Sequence, residues 1–192
     1  NWLDDEEIKI VFAFILSLPG APFIYYGDEL GMKYLKGLVS VEGGYYRTGS
    51  RSPMQWDDGL NAGFSSAKKE DLYIPIDSDE NRPTAKKQMA DENSVYHEVK
   101  KLITLRQANQ VLQSEAEVEF LYCEENAYPL VYRRFNEEDS VLIVINPSGR
   151  EVQFPYDGTL GEVIYQKGGS LEAVNGKIIV PAETAVFAKE IK

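Results

Sequence analysis

Apolar positions change their period along this chain, and each change marks a different element. In residues 4–18, Ile8, Val11, Phe12, Ile15 and Leu16 recur at helical spacing. Asp4, Asp5, Glu6 and Glu7 place negative charge at the positive end of that helix dipole. Pro19-Gly20 stops it. Residues 21–26, Ala-Pro-Phe-Ile-Tyr-Tyr, are apolar without alternation, as in strands buried on both faces of a parallel sheet. Helix, tight turn and buried strand make one αβ step of a barrel or doubly wound sheet. Residues 94–108 repeat the helical period through Val95, Val99, Leu102 and Ile103, with Asn93 or Ser94 placed to cap the first turn.

Between these helices, residues 31–90 carry few regular signals. Gly37, Gly43-Gly44, Gly49, Pro53, Gly59, Gly63, Pro75 and Pro83 punctuate them. So long an irregular stretch argues for an elaborated functional loop. After about residue 112 the pattern turns to short strands at 117–122, 129–135, 140–146, 151–154, 161–166, 176–180 and 184–189. Pro147-Ser148-Gly149, Asp157-Gly158, Gly168-Gly169 and Asn175-Gly176 separate them, and Asn175-Gly176 is a good hairpin turn. The spacing predicts an antiparallel sandwich.

Composition narrows the partners. A hydrophobic content of 43% supports a real core, and a net charge of −11 argues against nucleic acid and anionic membrane, which require a basic face. The charge is compatible with a neutral ligand. Residues 11–18 are apolar but far short of the roughly 20 residues of a membrane span. The single Cys123 allows no internal disulfide and reads as a core residue. His97, the only histidine, reads as a surface residue, so no imidazole base or multi-histidine metal site is available. Asp77-Ser78-Asp79-Glu80-Asn81 imitates the start of a calcium loop. Arg82 stands where glycine is needed and Gln88 where the bidentate glutamate is needed, so the segment reads as an acidic turn, with no metal and no cofactor expected.

The stretch with most chemistry is Arg47–Phe64, RTGSRSPMQWDDGLNAGF. Arginines beside aromatics on a post-strand loop suit a sugar subsite: the guanidinium fork binds hydroxyls or steadies carboxylates, and a ring packs on the apolar face of a pyranose. Arg51 is the leading candidate and Arg47 the second. The competing readings are a structural Arg51 tied to Asp57 or Asp28, and a solvated Arg47. Gln55 and Trp56 read as braces of the loop, with Trp56 in the core rather than on a sugar. Asp28 and Glu29 are adjacent at a strand end, so they point apart. A retaining pair needs carboxyls about 5 Å apart across the bond, so these two do not read as a catalytic pair. Asp57-Asp58-Gly59 reads as a turn.

Gly20-Ala21-Pro22-Phe23-Ile24-Tyr25-Tyr26-Gly27-Asp28-Glu29-Leu30-Gly31-Met32, Arg51-Ser52-Pro53-Met54-Gln55-Trp56-Asp57-Asp58, Asn61-Ala62-Gly63-Phe64 and Asp91 through Arg106 together resemble the last part of the α-amylase superfamily, glycoside hydrolase family 13. The branch is that of oligo-1,6-glucosidases, α-glucosidases and trehalose synthases. The resemblance covers roughly residues 1–110 well. It implies the C-terminal portion of a (β/α)8 TIM barrel (1–112: helix 7, strand 8, a long loop and helix 8), then a β-sandwich domain (113–192). It also implies a retaining α-glycosidase or transglycosidase of α-linked gluco-oligosaccharides, with Arg51 near the reacting sugar, Arg47 toward the leaving side, and Asp28 and Glu29 as supports beneath the site. The family's catalytic Asp, Glu and Asp have no counterpart here, so the chain reads as a fragment, inactive alone and prone to self-association. The rival reading is a non-catalytic module that binds carbohydrate or stabilises the barrel, with Tyr122, Tyr128, Tyr132, Tyr156 and Tyr165 as a sugar platform. The compartment stays open, leaning to the cytoplasm, because the native N-terminus is expected to lie upstream.

Overall fold

A computed structural model describes residues 3–191. The chain divides into two compact units, one built from the segment up to Asp5 with Phe23–Val99, the other from Glu6–Pro22 with Lys100 onward.

Helix α1, Asp5–Ser17, lies in the second unit from Glu6 onward and buries Ile8, Phe12, Ala13 and Leu16 on one face. Helix α3, Val95–Ala108, runs from the first unit into the second. Eight strands follow: β1 (Glu117–Tyr122), β2 (Leu130–Phe135), β3 (Ser140–Asn146), β4 (Val152–Pro155), β5 (Thr159–Lys167), β6 (Glu172–Val174), β7 (Lys177–Val180) and β8 (Thr184–Ile191). They form a five-stranded sheet, β1-β2-β3-β8-β5, and a three-stranded sheet, β4-β7-β6, with antiparallel pairing throughout. The unpredicted strand is β6. All three of its residues are exposed, so it has no apolar period to read. The Asn175-Gly176 turn joins β6 to β7 with both residues at positive φ, 50° and 75°, as a two-residue hairpin turn of that type requires.

Strand β3 shows how the layers are built. Leu142 and Val144 pack with Val131, Phe154, Ile178 and Val180 between the two sheets. The alternate residues Val141, Ile143 and Ile145 point the other way and are equally buried. On that face Ile143 pairs across from Tyr132, whose hydroxyl meets Ser17 Oγ of α1 at 2.5 Å. Lys101 of α3 lies 4.9 Å over the Tyr165 ring on the same sheet. The large sheet is therefore covered by helices on one side and by the small sheet on the other. That is why β3 is a continuous apolar run rather than an alternating one.

Two arginines fasten α1 to this sheet. Arg134 on β2 is completely buried and donates to the carbonyls of Ser17 (2.5 Å), Gln113 (2.5 Å), Ala116 (3.1 Å) and Glu117 (3.1 Å). Arg106 on α3 donates to the carbonyls of Leu16 (2.7 Å), Leu18 (2.8 Å) and Gly20 (2.6 Å). Neither has a carboxylate partner among the described residues. Their counter-charge is the carbonyl end of α1, whose last carbonyls lack helical partners. Burial, and then the charge of Arg106, pull Arg134 down to about 10, so it stays a cation at neutral pH.

Two expectations are corrected. Residues 21–26 form no strand; they are exposed, with Phe23 at 93%. A strand exists only where a neighbour accepts its hydrogen bonds, and no described strand lies beside this run. Cys123 is exposed rather than buried, because it follows the edge strand β1 beyond its register shift. The capping expectation resolves to Ser94, whose Oγ accepts from His97 N at 3.3 Å.

At the open end of the sandwich, Glu190 accepts from Arg133 Nε (3.0 Å) and Nη2 (2.8 Å), Ser140 Oγ (2.5 Å) and Tyr156 Oη (2.8 Å). Burial alone would raise its carboxyl, but these donors hold it below its ordinary value of 4.5. A folded-state value below the unfolded one stabilises the fold above the unfolded value, and that contribution is lost as pH falls through the folded value. Glu190→Gln should cost roughly 1–3 kcal/mol near neutral pH. In urea unfolding the gap from the parent chain should close as pH falls below 4.5; a gap independent of pH would refute this. Arg134→Met, which leaves four carbonyls without their donor, the Ser17 and Ala116 oxygens among them buried, should cost at least about 3 kcal/mol by the same measurement.

Candidate functional site

The Arg47–Phe64 stretch folds as a pinned loop within the first unit. Its first part is a 3-10 segment, Tyr45–Ser50. Gly49 is required there: a Cβ would lie 2.2 Å from the Leu35 carbonyl oxygen, on the backbone that Leu35 N joins to Gly49 O at 3.0 Å. Farther on, Trp56 N and Asp57 N both donate to Ala62 O, at 2.8 and 3.2 Å. Asp57 Oδ1 accepts from Gly59 N at 2.7 Å and closes the expected turn. Asn61 and Ala62 hold left-handed φ of 48° and 54°. Asn61 secures that costly conformation by donating to the carbonyls of Ser65 (2.9 Å) and Ala67 (2.8 Å).

Gln55 ties this loop to helix α2, Ala85–Ala90. Its side chain, 1% exposed, donates to Pro83 O at 2.6 Å. The carbonyls of Gln55 and Trp56 accept from Ala85 N (2.8 Å) and Lys86 N (2.9 Å), satisfying the first amides of α2. Asp58 adds an ion pair to Lys87 at 2.9 Å.

The braced backbone leaves an open groove of about 490 Å³. Tyr26, Glu29, Arg51, Trp56, Phe64 and Tyr73 line it with Pro53, Met54, Leu72 and Ile74. Trp56 is 52% exposed, which corrects its placement in the core: the turn that buries Gln55 turns the neighbouring indole outward. Arg51 is exposed and makes no side-chain hydrogen bond or ion pair with any described residue, so the tie to Asp57 or Asp28 is not formed. Its charge is felt by two tyrosines. Burial, and then Tyr25, push Tyr26 up to about 12 against the pull of Arg51. Desolvation, and then a hydrogen bond with Glu42, raise Tyr73 against the same pull. Tyr26 Oη donates to Ser52 O at 3.0 Å, and Glu29 Oε2 accepts from Gly27 N at 2.8 Å.

The other candidates lie apart from this groove. Arg47 is exposed within its 3-10 segment, and Asp28 opens the short turn Asp28–Leu30; neither lines the groove. Sequence reading missed Tyr73, whose signal is an aromatic between Leu72 and Ile74 in a polar loop. Asp77 and Asp79 accept from the amides of Asp79 and Asn81, and Asp79 pairs with Lys33 at 3.2 Å, so this acidic segment is an internally bonded turn. No group of His, Cys, Asp and Glu fit to hold a metal occurs among the described residues. In the sandwich, Tyr132 and Tyr165 are 0% and 2% exposed, so the five tyrosines form no common platform.

Residues 2–115 match the family model of the alpha amylase catalytic domain. The chain is 32% identical over 189 residues to the probable oligo-1,6-glucosidase 3 of Bacillus subtilis, an alignment covering 82% of this chain and 33% of that protein. It is 47% identical over 76 residues to the trehalose synthase/amylase TreS of Mycobacterium tuberculosis, covering 40% of this chain and 12% of that one. Among solved structures, an isomaltulose synthase mutant of Erwinia rhapontici in complex with D-glucose superimposes with a TM-score of 0.81 at 22% identity, over 98% of this chain and 38% of that one. The chain thus spans about a third of the length of these oligo-1,6-glucosidase and isomaltulose synthase relatives. The structural likeness shows the fold: the C-terminal portion of a (β/α)8 barrel followed by an antiparallel β-sandwich. The chain belongs to the α-amylase catalytic-domain family, glycoside hydrolase family 13.

Proposed function

We propose that this chain supplies part of the substrate face and the C-terminal sandwich of a retaining α-glycosidase or transglycosidase acting on α-linked gluco-oligosaccharides. The observation that carries this reading is Arg51: an exposed guanidinium with no partner among the described residues, on the rim of an aromatic groove. A charged fork left open in a braced loop is suited to a sugar's hydroxyls or to a catalytic carboxylate beside them. Residues 1–112 are the barrel portion in this reading and 113–192 the sandwich. Asp28, Glu29, Gln55 and Trp56 shape the loop around Arg51, and Arg47 stands toward the leaving group.

The chemistry is double displacement. An aspartate attacks the anomeric carbon while a glutamic acid protonates the leaving oxygen; water or a second sugar then takes the glycosyl group as the glutamate accepts a proton. Both carboxyls belong to the two thirds of the family's length that this chain does not span. Within this chain, Arg51 orients the sugar so that the anomeric carbon meets the nucleophile.

Glucose release from maltose and isomaltose tests the reading, with the 192-residue chain and the protein that includes the catalytic region measured in parallel. The longer protein should be active and the chain alone silent. Arg51→Ala should lower kcat/KM by roughly 10–100-fold, and Arg51→Lys should recover little of it, because an ammonium lacks the planar fork. Glucose release by the chain alone, or full activity in Arg51→Ala, would sink the proposal.

A further inference from the structure

We infer that the open end of the sandwich, around Arg133, Tyr156 and Thr159, is a second and non-catalytic site that takes one ring of a neutral pyranoside. It lies wholly in the second unit and shares no residue with the groove of Arg51.

The two sheets differ in length, and this leaves part of one face open. Strands of the large sheet run six to nine residues, those of the small sheet three or four. Phe154, Ile178 and Val180 of the small sheet cover Val131, Leu142 and Val144. Arg133 and Phe135 continue the face of Val131 along β2, and Ser140 continues that of Leu142 along β3. Here lies a cavity of about 310 Å³, at the small end of the roughly 300–1,000 Å³ usual for small-ligand sites. The Glu190 cluster fixes its walls. The Glu190 side chain is 9% exposed, and each of its oxygens accepts twice: Oε1 from Arg133 Nη2 and Tyr156 Oη, Oε2 from Arg133 Nε and Ser140 Oγ. It therefore offers a ligand nothing and instead holds the guanidinium and the phenol in position. Gly158 passes so close to that phenol that a Cβ would lie 2.6 Å from Tyr156 Cζ, so only glycine leaves the room. Groups already ordered lose little entropy on binding.

The groups left unengaged define the ligand. Arg133 commits three of a guanidinium's five N–H donors, to Glu190 and Glu119, and keeps two. Asn136 Oδ1 accepts from Glu138 N and Asp139 N, while Asn136 Nδ2 and the Thr159 hydroxyl meet no partner among the described residues. Glu119 receives Arg133 on Oε2 and keeps Oε1 as an acceptor. These donors and acceptors stand beside the half-buried rings of Phe135 and Tyr156. Hydroxyls both donate and accept, and a pyranose adds a C–H face for the negative faces of the rings. Other ligand classes fit worse. Two carboxylates against one guanidinium leave the lining one negative charge in excess, which opposes a phosphate or carboxylate. A divalent cation requires a cage of oxygens, and the cation of Arg133 is already bonded to both acids. A purely apolar ligand would strip water from Arg133, Asn136 and Thr159 without replacing its hydrogen bonds.

Nitrogen–proton correlation NMR of the 192-residue chain, titrated into the millimolar range with methyl α-D-glucopyranoside, maltose or glucose 6-phosphate, tests this. The two neutral sugars should shift the amides of residues 135–140, 156–160 and 190–191 saturably, and glucose 6-phosphate should bind there at least about fivefold more weakly. Thr159→Val keeps the β-branched shape, and Asn136→Asp keeps the Oδ1 acceptor of its turn. Each should weaken maltose binding at these amides by roughly three- to tenfold, as loss of one hydrogen bond does. Arg51→Ala should leave the sandwich shifts as they are. Ligand-free spectra verify that each variant keeps its fold. Absence of saturable shifts in these segments, glucose 6-phosphate binding as tight as maltose, or unaltered affinity in both sandwich variants overturns the inference. Its failure is separable from failure of the proposed function: the sandwich can hold maltose in a protein that releases no glucose, and Arg51→Ala can cripple turnover in the longer protein when the sandwich holds nothing.

Discussion

Two buried guanidiniums satisfying the carbonyl end of one helix hold the second unit together. Arg134 and Arg106 between them take seven main-chain oxygens, from α1, the turn after it and the segment entering β1. Each is a cation removed from water without a carboxylate partner among the described residues, an arrangement that is costly unless nearly every donor finds an acceptor. Here Arg134 makes four hydrogen bonds to carbonyls and Arg106 three, and the helix dipole supplies the opposing field. The sheet can then be apolar on both faces, because the polar ends of α1 are dealt with by side chains reaching from β2 and α3. The Ser17–Tyr132 contact and the packing of Phe14 edge-on to Tyr132, at 6.4 Å, complete the same joint.

A second economy of polar groups shapes the groove. The short helix α2 begins with amides that need acceptors, and the carbonyls of Gln55 and Trp56 provide them. Gln55 is drawn inward and Trp56 is left outward by one stretch of backbone. The left-handed pair Asn61-Ala62 then returns the chain so that Phe64 stands on the same cavity. An irregular loop thereby becomes a rigid presenter of aromatic rings and of Arg51. Its rigidity comes from main-chain hydrogen bonds rather than from a core of its own.

The regular elements were legible because their signals are local. Helical spacing of Ile8, Phe12 and Leu16 placed α1 to within a residue at each end, and alternation with turn residues placed β1 through β5, β7 and β8 within about two residues. Where local signal failed, a physical reason is visible. Strand β6 is exposed on every residue, so nothing in its composition separates it from a loop. Residues 21–26 have the composition of a buried strand and no described neighbour to pair with. Cys123 and Trp56 were placed in the core on the habits of their residue types, whereas an edge strand and a turn carry them outward.

The sequence by itself determined the periods of the helices and strands, the antiparallel sandwich, the family through its Gly20–Met32 and Arg51–Asp58 stretches, and Arg51 as a residue of interest. All of these are properties of neighbours along the chain. Only the tertiary structure decided that Arg51 is tied to neither Asp57 nor Asp28, that Arg47 stands apart from the groove, that Tyr73 joins Trp56 and Phe64 on one cavity, and that Arg106 and Arg134 converge on one helix end. Those facts depend on which carbonyls a distant fold brings within reach of a donor, and no spacing along the chain encodes such a distance.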